Sequence, residues 1–362
     1  MTARLELLDP YDARAESIWR ELERVAKPTY FLTWGWIENW LATVSRDEAG
    51  QLAVIRDDEA IHGAFLLGRR RLIRHHLLPS QAMFLNSTGV PNLDELCVEH
   101  NAVLALPNAA PSLAALVALL PPDWDELFLP AVDQGLFASL AVQPGSTARV
   151  DREVSAPFVD LARVRAAGDY LSLLSANTRA QIRKARRRVG NCQLEVAGTT
   201  AEALAFYDEL VALHGASWRA RGERGAFSDP WFERFHRRLI TRRFEHGEIQ
   251  MLRLRAGTTT VGCLYNLVSN GRVLFYQSGL TPFDDCVIKP GFLCHAAAIE
   301  HAASAGLLVY DLLGGDARYK ASLSTDATRL VWLRVQRDRV RFVIEDRVRS
   351  WKQALAKILA PG

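Results

Sequence analysis

The sequence predicts an α/β protein of the α+β kind, built from two units that are each a mixed, mostly antiparallel sheet flanked by helices. Three observations predict it. The chain has 362 residues, the length of two ordinary domains. Hydrophobic residues make up 49% of it, enough to bury a large core. The second half runs strand, helix, helix, three strands, helix, strand, an order that indicates a mixed sheet with helices on both faces. A boundary falls in "AVQPGSTARVDREVSAP", rich in small and turn residues, and gives units 1–150 and 151–362.

The elements follow in order. "ARLELLD" reads as a strand and "ARAESIWRELERVA" as an amphipathic helix. "PTYFLTWGWIENWLATV" then crowds Trp34, Trp36 and Trp40 into one short segment. "QLAVIRDD" and "AIHGAFLLGRRRLI" read as strands, with "DDEA" as the hairpin tip between them. "PSLAALVALLPPDW" is a short helix closed by Pro121 and Pro122, and "ELFLPAV" is a strand. Past the boundary, the basic helix "TRAQIRKARRRV" opens on a capping box of Thr178 and Gln181 and docks by Ile182, Ala185 and Val189. The strand "CQLEVAG" leads into a long helix through "TAEALAFYDELVALHGASWRARG" and a second over "PWFERFHRRLITRRFEHG". "EIQMLRLRAG", "TTVGCLYNLVSNG" and "RVLFYQSGL" form an antiparallel meander with turns at "AGTT" and "SNGR". The helix "GFLCHAAAIEHAASAG" and the buried strand "LLVYDLL" come next. The tail "RVRFVIEDRVRSWKQALAKIL" ends in a basic amphipathic helix, a form that docks on a core or lies in a membrane interface.

Composition excludes several classes. The net charge of +3 does not by itself call for nucleic acid. Cys97, Cys192, Cys263, Cys286 and Cys294 are scattered and form no CxxC pair, which argues for reduced thiols in a cytoplasmic protein. The start "MTARLELLDPYDARAE" is charged from Arg4 and does not read as a signal peptide. "NAVLALPNAAPSLAALVALLPP" is too interrupted by Pro107, Asn108 and Pro111 to span a bilayer. His75, His76 and His100 form no metal set with suitably spaced carboxylates, so no metal is expected. "NSTGVPN" lacks the Lys-Ser/Thr step of a phosphate loop.

The second half resembles the acyltransferase branch of the GNAT superfamily associated with cellulose biosynthesis, the CelD/BcsL-like proteins. "LHGASWRARGERGAF", the meander end "YQSGLTPF" and "KPGFLCHAAAIEHAASAGLLVYDLLGGDARYK" carry the likeness. "FLTWGWIENWL" extends it into the first half, while residues 70–150 carry no motif of it. That branch is similar to the Fem-type transferases, which pair two GNAT-like domains. The resemblance implies two tandem GNAT-like domains, expected to pack face to face across a cleft. It also implies an acyl donor, usually acyl-CoA, and a nucleophilic amine or hydroxyl. The leading expectation is an acyl-CoA-dependent N-acyltransferase acting on an amine of bacterial envelope lipid, sphingoid-type and ceramide-forming, or of polysaccharide metabolism. The alternatives are a Fem-like aminoacyl-tRNA-dependent transferase and a non-catalytic GNAT scaffold for polysaccharide synthesis. Partners are then acyl-CoA and an amine, with peripheral contact to an anionic inner membrane and no specific nucleic acid.

Four stretches carry the chemistry. In "VIKPGFLCHAAAIEHAA" a helix starts at Pro290 and Gly291, and its free N–H groups suit a coenzyme A pyrophosphate. Lys289 adds a charge there, and Phe292 completes the donor end. The glycine-rich loop usual in GNAT proteins is reduced here to "KPG". In "YDLLGGDARYK" Asp311 lies on a buried strand, where a carboxylate is costly unless it is paired or functional. Gly314 and Gly315 turn the chain, and Asp316, Tyr319 and Lys320 follow. Asp311 or Asp316 is the candidate base, Tyr319 the acid for the leaving thiolate, and Lys320 the group that steadies an oxyanion or a phosphate. A salt-bridge corner of Asp311 or Asp316 with Lys320 or Arg318 is the structural alternative. In "LHGASWRARG" His214 and Trp218 share a helical face; His214 is a second candidate base, and Arg221 binds an anionic group. Trp218, Arg221 and Tyr276 form the expected substrate side. The basic helix is either a solvated face or an anion-binding surface for CoA phosphates, lipid headgroups or tRNA, with Arg183 at its centre.

Overall fold

The protein is described from a computed structural model covering residues 3–74, 78–96, 98–137 and 139–345. The expected elements of the first half form: β1 (Arg4–Leu8), α1 (Ala13–Ala26), α2 (Trp34–Leu41), β2 (Gln51–Arg56) and β3 (Ile61–Arg74). Then come β4 (Leu78–Leu85), α3 (Pro91–Asp94), β5 (Leu104–Ala105), α4 (Leu113–Leu119) and β6 (Glu126–Asp133). β7 (Ser146–Asp160) closes the first half, and the second runs α5 (Leu161–Ala167), α6 (Ala176–Val189), β8 (Cys192–Val196), α7 (Thr200–Arg219) and α8 (Pro230–Arg243). It ends with β9 (Ile249–Ala256), β10 (Thr259–Ser269), β11 (Arg272–Leu280), α9 (Pro290–Ser304), β12 (Val309–Asp311), α10 (Arg318–Leu323) and β13 (Asp326–Arg337).

The two halves repeat one topology. β1, β2, β3 and β4 pair antiparallel in sequence order, and β4 then pairs β6 in parallel. β8, β9, β10 and β11 do the same, and β11 pairs β12 in parallel. Each half then sends its closing strand to the other. β7 pairs β12, β13 pairs β6, and the two closing strands pair with each other from Ser146 opposite Arg337 to Phe158 opposite Asp326. The result is one sheet of thirteen strands among the described residues. The fold class therefore holds: a mixed, mostly antiparallel α/β architecture of two GNAT-like halves. The expectation of separate sheets packed face to face is corrected, because the exchanged strands join the halves edge to edge.

Local sequence explains the helices. Asp12 caps α1 by accepting the Arg14 N–H, and Ala15, Trp19 and Leu22 recur at helical spacing to form its buried stripe. Thr33 caps α2, which buries Trp34, Trp36 and Trp40. The helix at 176–189 is capped by Ser175, whose Oγ accepts the Thr178 N–H at 3.2 Å, and not by the Thr178–Gln181 box. Thr178 is instead buried with Ile182 and Ala185. α1, α2, α7 and α8 pool their apolar faces in one core that draws on both halves, from Trp19 and Trp36 to Phe235 and Tyr276. α5, α6 and α9 cover the other face in the second half, and α4 does so in the first.

Other readings change. The stretch read as turn-rich, 141–157, is mostly β7, and residue 150 lies inside that strand. β4 and β13 lie in segments whose pattern announces no strand. β13 is placed by pairing on both edges, and on its neighbour β6 the fully buried Glu126 is satisfied by Ser80, Arg74 and Gln336. The strand expected over "LLVYDLL" is only Val309–Asp311, since Leu312 turns off to bond the Pro157 carbonyl. Cys97, His75, His76 and the amphipathic tail from residue 346 lie outside the described residues. Among the described residues no helix is long and apolar enough to cross a membrane, and no three metal-ligating side chains converge.

Candidate active site

β11 and β12 are paired only from Arg272 opposite Val309 to Leu274 opposite Asp311. Beyond that point β12 ends and β11 continues to Leu280, so residues 275–280 have one edge without a partner strand among the described residues. α9 begins beside this gap. Lys289 is its N-cap residue, Pro290 its first, and no side chain caps it. The Gly291 and Phe292 amides are therefore left for a ligand or water. A cavity of about 500 Å³ fills the gap, lined by Ser278, Lys289, Gly291, Phe292, His295 and Tyr319 among others. His295 is buried, stacks on Tyr319 at 5.6 Å, and places Nδ1 3.1 Å from the Tyr310 hydroxyl. Burial pushes its pKa down to about 3, so the ring is neutral. Burial pushes the Tyr319 hydroxyl up to about 12. The structure thus brings Lys289, Gly291, Phe292 and Tyr319 into one pocket.

Asp311 lies elsewhere, at the junction of the halves, and is 1% exposed. Its Oδ2 is 2.7 Å from Arg272 Nη1 and 3.0 Å from His100 Nε2, and Oδ1 accepts the Leu313 N–H at 2.8 Å. His100 Nδ1 is 3.0 Å from Asp133 Oδ1. Burial opposes charge on both groups, but their pairing prevails. Asp311 is held below the usual carboxylate range, and His100 is raised to about 10. An imidazolium is thus clamped between a carboxylate from each half.

The turn after Asp311 meets the first half. Leu313 and Gly315 take positive φ, and Lys320 Nζ donates to the Gly314 carbonyl at 2.7 Å and to the Leu313 carbonyl at 3.3 Å. The Gly314 N–H donates to Glu99 Oε2 at 2.5 Å. Glu99 is 9% exposed and lines a second cavity, of about 580 Å³, with Gly314, Gly315, Trp40, Phe84, Phe128 and Trp332. Burial raises its pKa, against the lowering effect of Gly314 and Lys320. Asp316 is exposed and lines neither cavity.

The remaining candidates are set apart. His214 is buried, and its Nδ1 donates to the Ser278 carbonyl at 3.1 Å. Burial lowers its pKa, so it is neutral. Trp218 stacks on it at 5.5 Å, and the Arg221 guanidinium lies 4.4 Å over Trp218. This stack backs the β11 edge at Ser278 without lining either cavity. Tyr276 is buried and donates its hydroxyl proton to the Leu96 carbonyl at 2.6 Å, tying the halves together. Arg183 is half exposed, 3.6 Å from Asp169. Sequence reasoning missed Glu99 and weighed His100 only as a metal ligand. The signal available was the adjacent acid and imidazole of "CVEHN".

In the second half, a sheet whose last two strands diverge beside a helix N-terminus has the form of a GNAT-like fold. Residues 176–321 match the family model described as the GNAT acetyltransferase domain. A conserved protein of unknown function from Bacteroides thetaiotaomicron VPI-5482 is similar in structure, with a TM-score of 0.54 and 13% identity over 91% of this chain and 98% of that one. FemX is similar with a TM-score of 0.52 and 11% identity over 86% of this chain and 95% of that one. At such identities the likeness is one of fold. A search of curated proteins finds no match.

Proposed function

We propose that the protein is an acyl-CoA-dependent N-acyltransferase of the CelD/BcsL-like branch. The observation that carries this reading is the pocket where β11 leaves β12 beside the start of α9. The open β11 edge suits an extended, amide-bearing donor arm, as an added strand would. The Gly291 and Phe292 amides, with Lys289, suit its pyrophosphate. α6 reaches the pocket through Gln181. Tyr319 stays protonated in this pocket and gives its proton to the leaving thiolate. The donor site belongs to unit 151–362, with 1–150 as its partner. Asp311 and Lys320 serve by holding the turn, while Asp316 and His214 line neither cavity and take no proton in this reading. The acceptor favoured by the family resemblance is an amine of envelope lipid, sphingoid-type, or of polysaccharide metabolism, met at the cytoplasmic side of the inner membrane.

The test incubates the protein with acyl-CoAs of increasing chain length and follows Tm and free thiol. A donor that raises Tm and releases thiol in the presence of an amine supports the reading; silence across the series sinks it. A second reading, a Fem-like aminoacyl-tRNA transferase, draws on the FemX-like fold and on the exposed Arg183, Lys184, Arg187 and Arg188 of α6. Tight, steeply salt-dependent tRNA binding would favour it. A non-catalytic scaffold would be silent in both assays.

A further inference from the structure

The internal repeat gives the first half a split of its own, between β4 and β6. Their parallel pairing stops at Phe84 opposite Phe128, whose rings stack at 5.0 Å. In the second half the matching split is open. In the first half the chain itself runs into it. Asn101 donates its backbone N–H to the Ala131 carbonyl at 3.1 Å, and its Nδ2 to the Leu85 carbonyl at 2.9 Å and the Pro130 carbonyl at 3.0 Å. Asn86 Nδ2 donates back to Asn101 Oδ1 at 2.8 Å. One buried asparagine thus stitches both strands, and the slot that would hold a donor arm is filled. Two similar halves therefore carry one donor site.

The plug also aims its neighbours. His100 takes a φ of 51° and is fixed by Asp133 and Asp311. Glu99, just before it, is turned into the cavity between the halves. Its Oε2 takes the Gly314 N–H, and among the described residues its Oε1 has no hydrogen bond. The cavity is walled by aromatic rings, Trp40, Phe84, Phe128 and Trp332 among them. α10 links the two: Tyr319 lines the donor pocket, and the next residue, Lys320, holds the Gly314 turn that lines the cavity.

We infer that this cavity receives the acceptor, a primary amine on an apolar body, and that Glu99 is the base that takes its proton. The inference rests on the acyltransferase reading for its second substrate. A buried carboxylate with one free oxygen pairs with an ammonium by a charge-assisted hydrogen bond, and aromatic walls bury an apolar chain. Glu99 takes a first proton from the bound ammonium and releases it to solvent, and the neutral amine nitrogen attacks the acyl carbon. Glu99 takes the second N–H proton as the C–N bond forms and the C–S bond breaks. The departing thiolate takes the Tyr319 proton, and the proton then held by Glu99 restores the tyrosine through solvent. The sum is thioester plus ammonium giving amide, thiol and one proton. The charged groups that bear on Glu99 are Lys320 and His100, which favour its ionised form, and Asp311, which opposes it.

The test uses the full chain, dodecylamine as acceptor probe and palmitoyl-CoA as donor. Glu99→Gln is expected to keep the donor-induced rise in Tm, to lose about 10²–10⁴-fold in kcat, and to lose the acidic limb of the pH–rate profile. Glu99→Asp should recover part of the rate. A folded Glu99→Gln protein with wild-type rate and profile overturns the inference. If the wild type responds neither to palmitoyl-CoA nor to any other acyl-CoA of the series, the acyltransferase reading fails by itself. The cavity is then judged by dodecylamine alone, which must raise the Tm of the wild type and not of Glu99→Gln. Absence of that difference overturns the inference.

Discussion

His100 of the first half and Asp311 of the second lie 3.0 Å apart, nearly without exposure to solvent, and each helps hold the other charged, together with Asp133 beside His100 and Arg272 beside Asp311. Stability should follow their protonation. His100 has a folded pKa of about 10, above its ordinary value of 6.5, so its contribution is full below the ordinary value and is lost as pH rises through about 10. Asp311 is depressed, so its contribution is full above the ordinary carboxylate value and is lost as pH falls through its lowered folded value. Tm measured against pH should show a plateau bounded on the alkaline side by His100. Asp311→Asn should lessen that alkaline fall and lower Tm at neutral pH, since it leaves the buried imidazolium paired with Asp133 alone.

Lys289→Glu places a negative charge at the start of α9. The KM for acyl-CoA should rise by about tenfold or more, the effect of some 1.4 kcal/mol, with kcat less affected. Steady-state kinetics decides it, and an unchanged KM would move the donor phosphates away from Lys289.

Gly314→Ala tests the contact between the turn and Glu99. A Cβ there would stand 3.1 Å from Glu99 Oε1 and 3.2 Å from Oε2. The carboxylate must shift, so kcat should fall about 10-fold or more while donor binding is kept. The readouts are single-turnover rate and donor titration on the same preparation.

Asn101→Ala leaves the Leu85 and Pro130 carbonyls unpaired in the first-half split. Each lost partner costs about 1–3 kcal/mol. Hydrogen exchange should rise at residues 99–102 before it rises in β9 and β10, and amide formation should suffer more than donor binding.

How much of this the sequence announces depends on range. α1, α9 and the β9–β11 meander are legible because their signals are local: a cap, a stripe of apolar residues, a Gly-bearing turn. The donor pocket is legible for the same reason, since Lys289, Gly291 and Phe292 are neighbours in sequence. Asp311 shows itself as an acid in an apolar run. Its partner does not, because His100 comes from the other half and nothing in "CVEHN" has a period. β13 is hidden likewise, as its place is decided by β6 and β7. Lys320 was read as chemistry, and its Nζ bonds to the Leu313 and Gly314 carbonyls make it the clasp of a turn.

The exchanged closing strands bear on how the chain is made. The edge of β6 that β13 covers is complete only when residues 326–337 have left the ribosome. Until then the nascent first half presents an open strand edge, the kind of surface that chaperones shield and other chains capture. Ordinary domain-by-domain maturation is thus denied to this protein. Expressed alone, the residues before β7 would lack their last neighbour, and the remainder would lack the carboxylate of Glu99. Mixing the two pieces should restore a protein that neither contains.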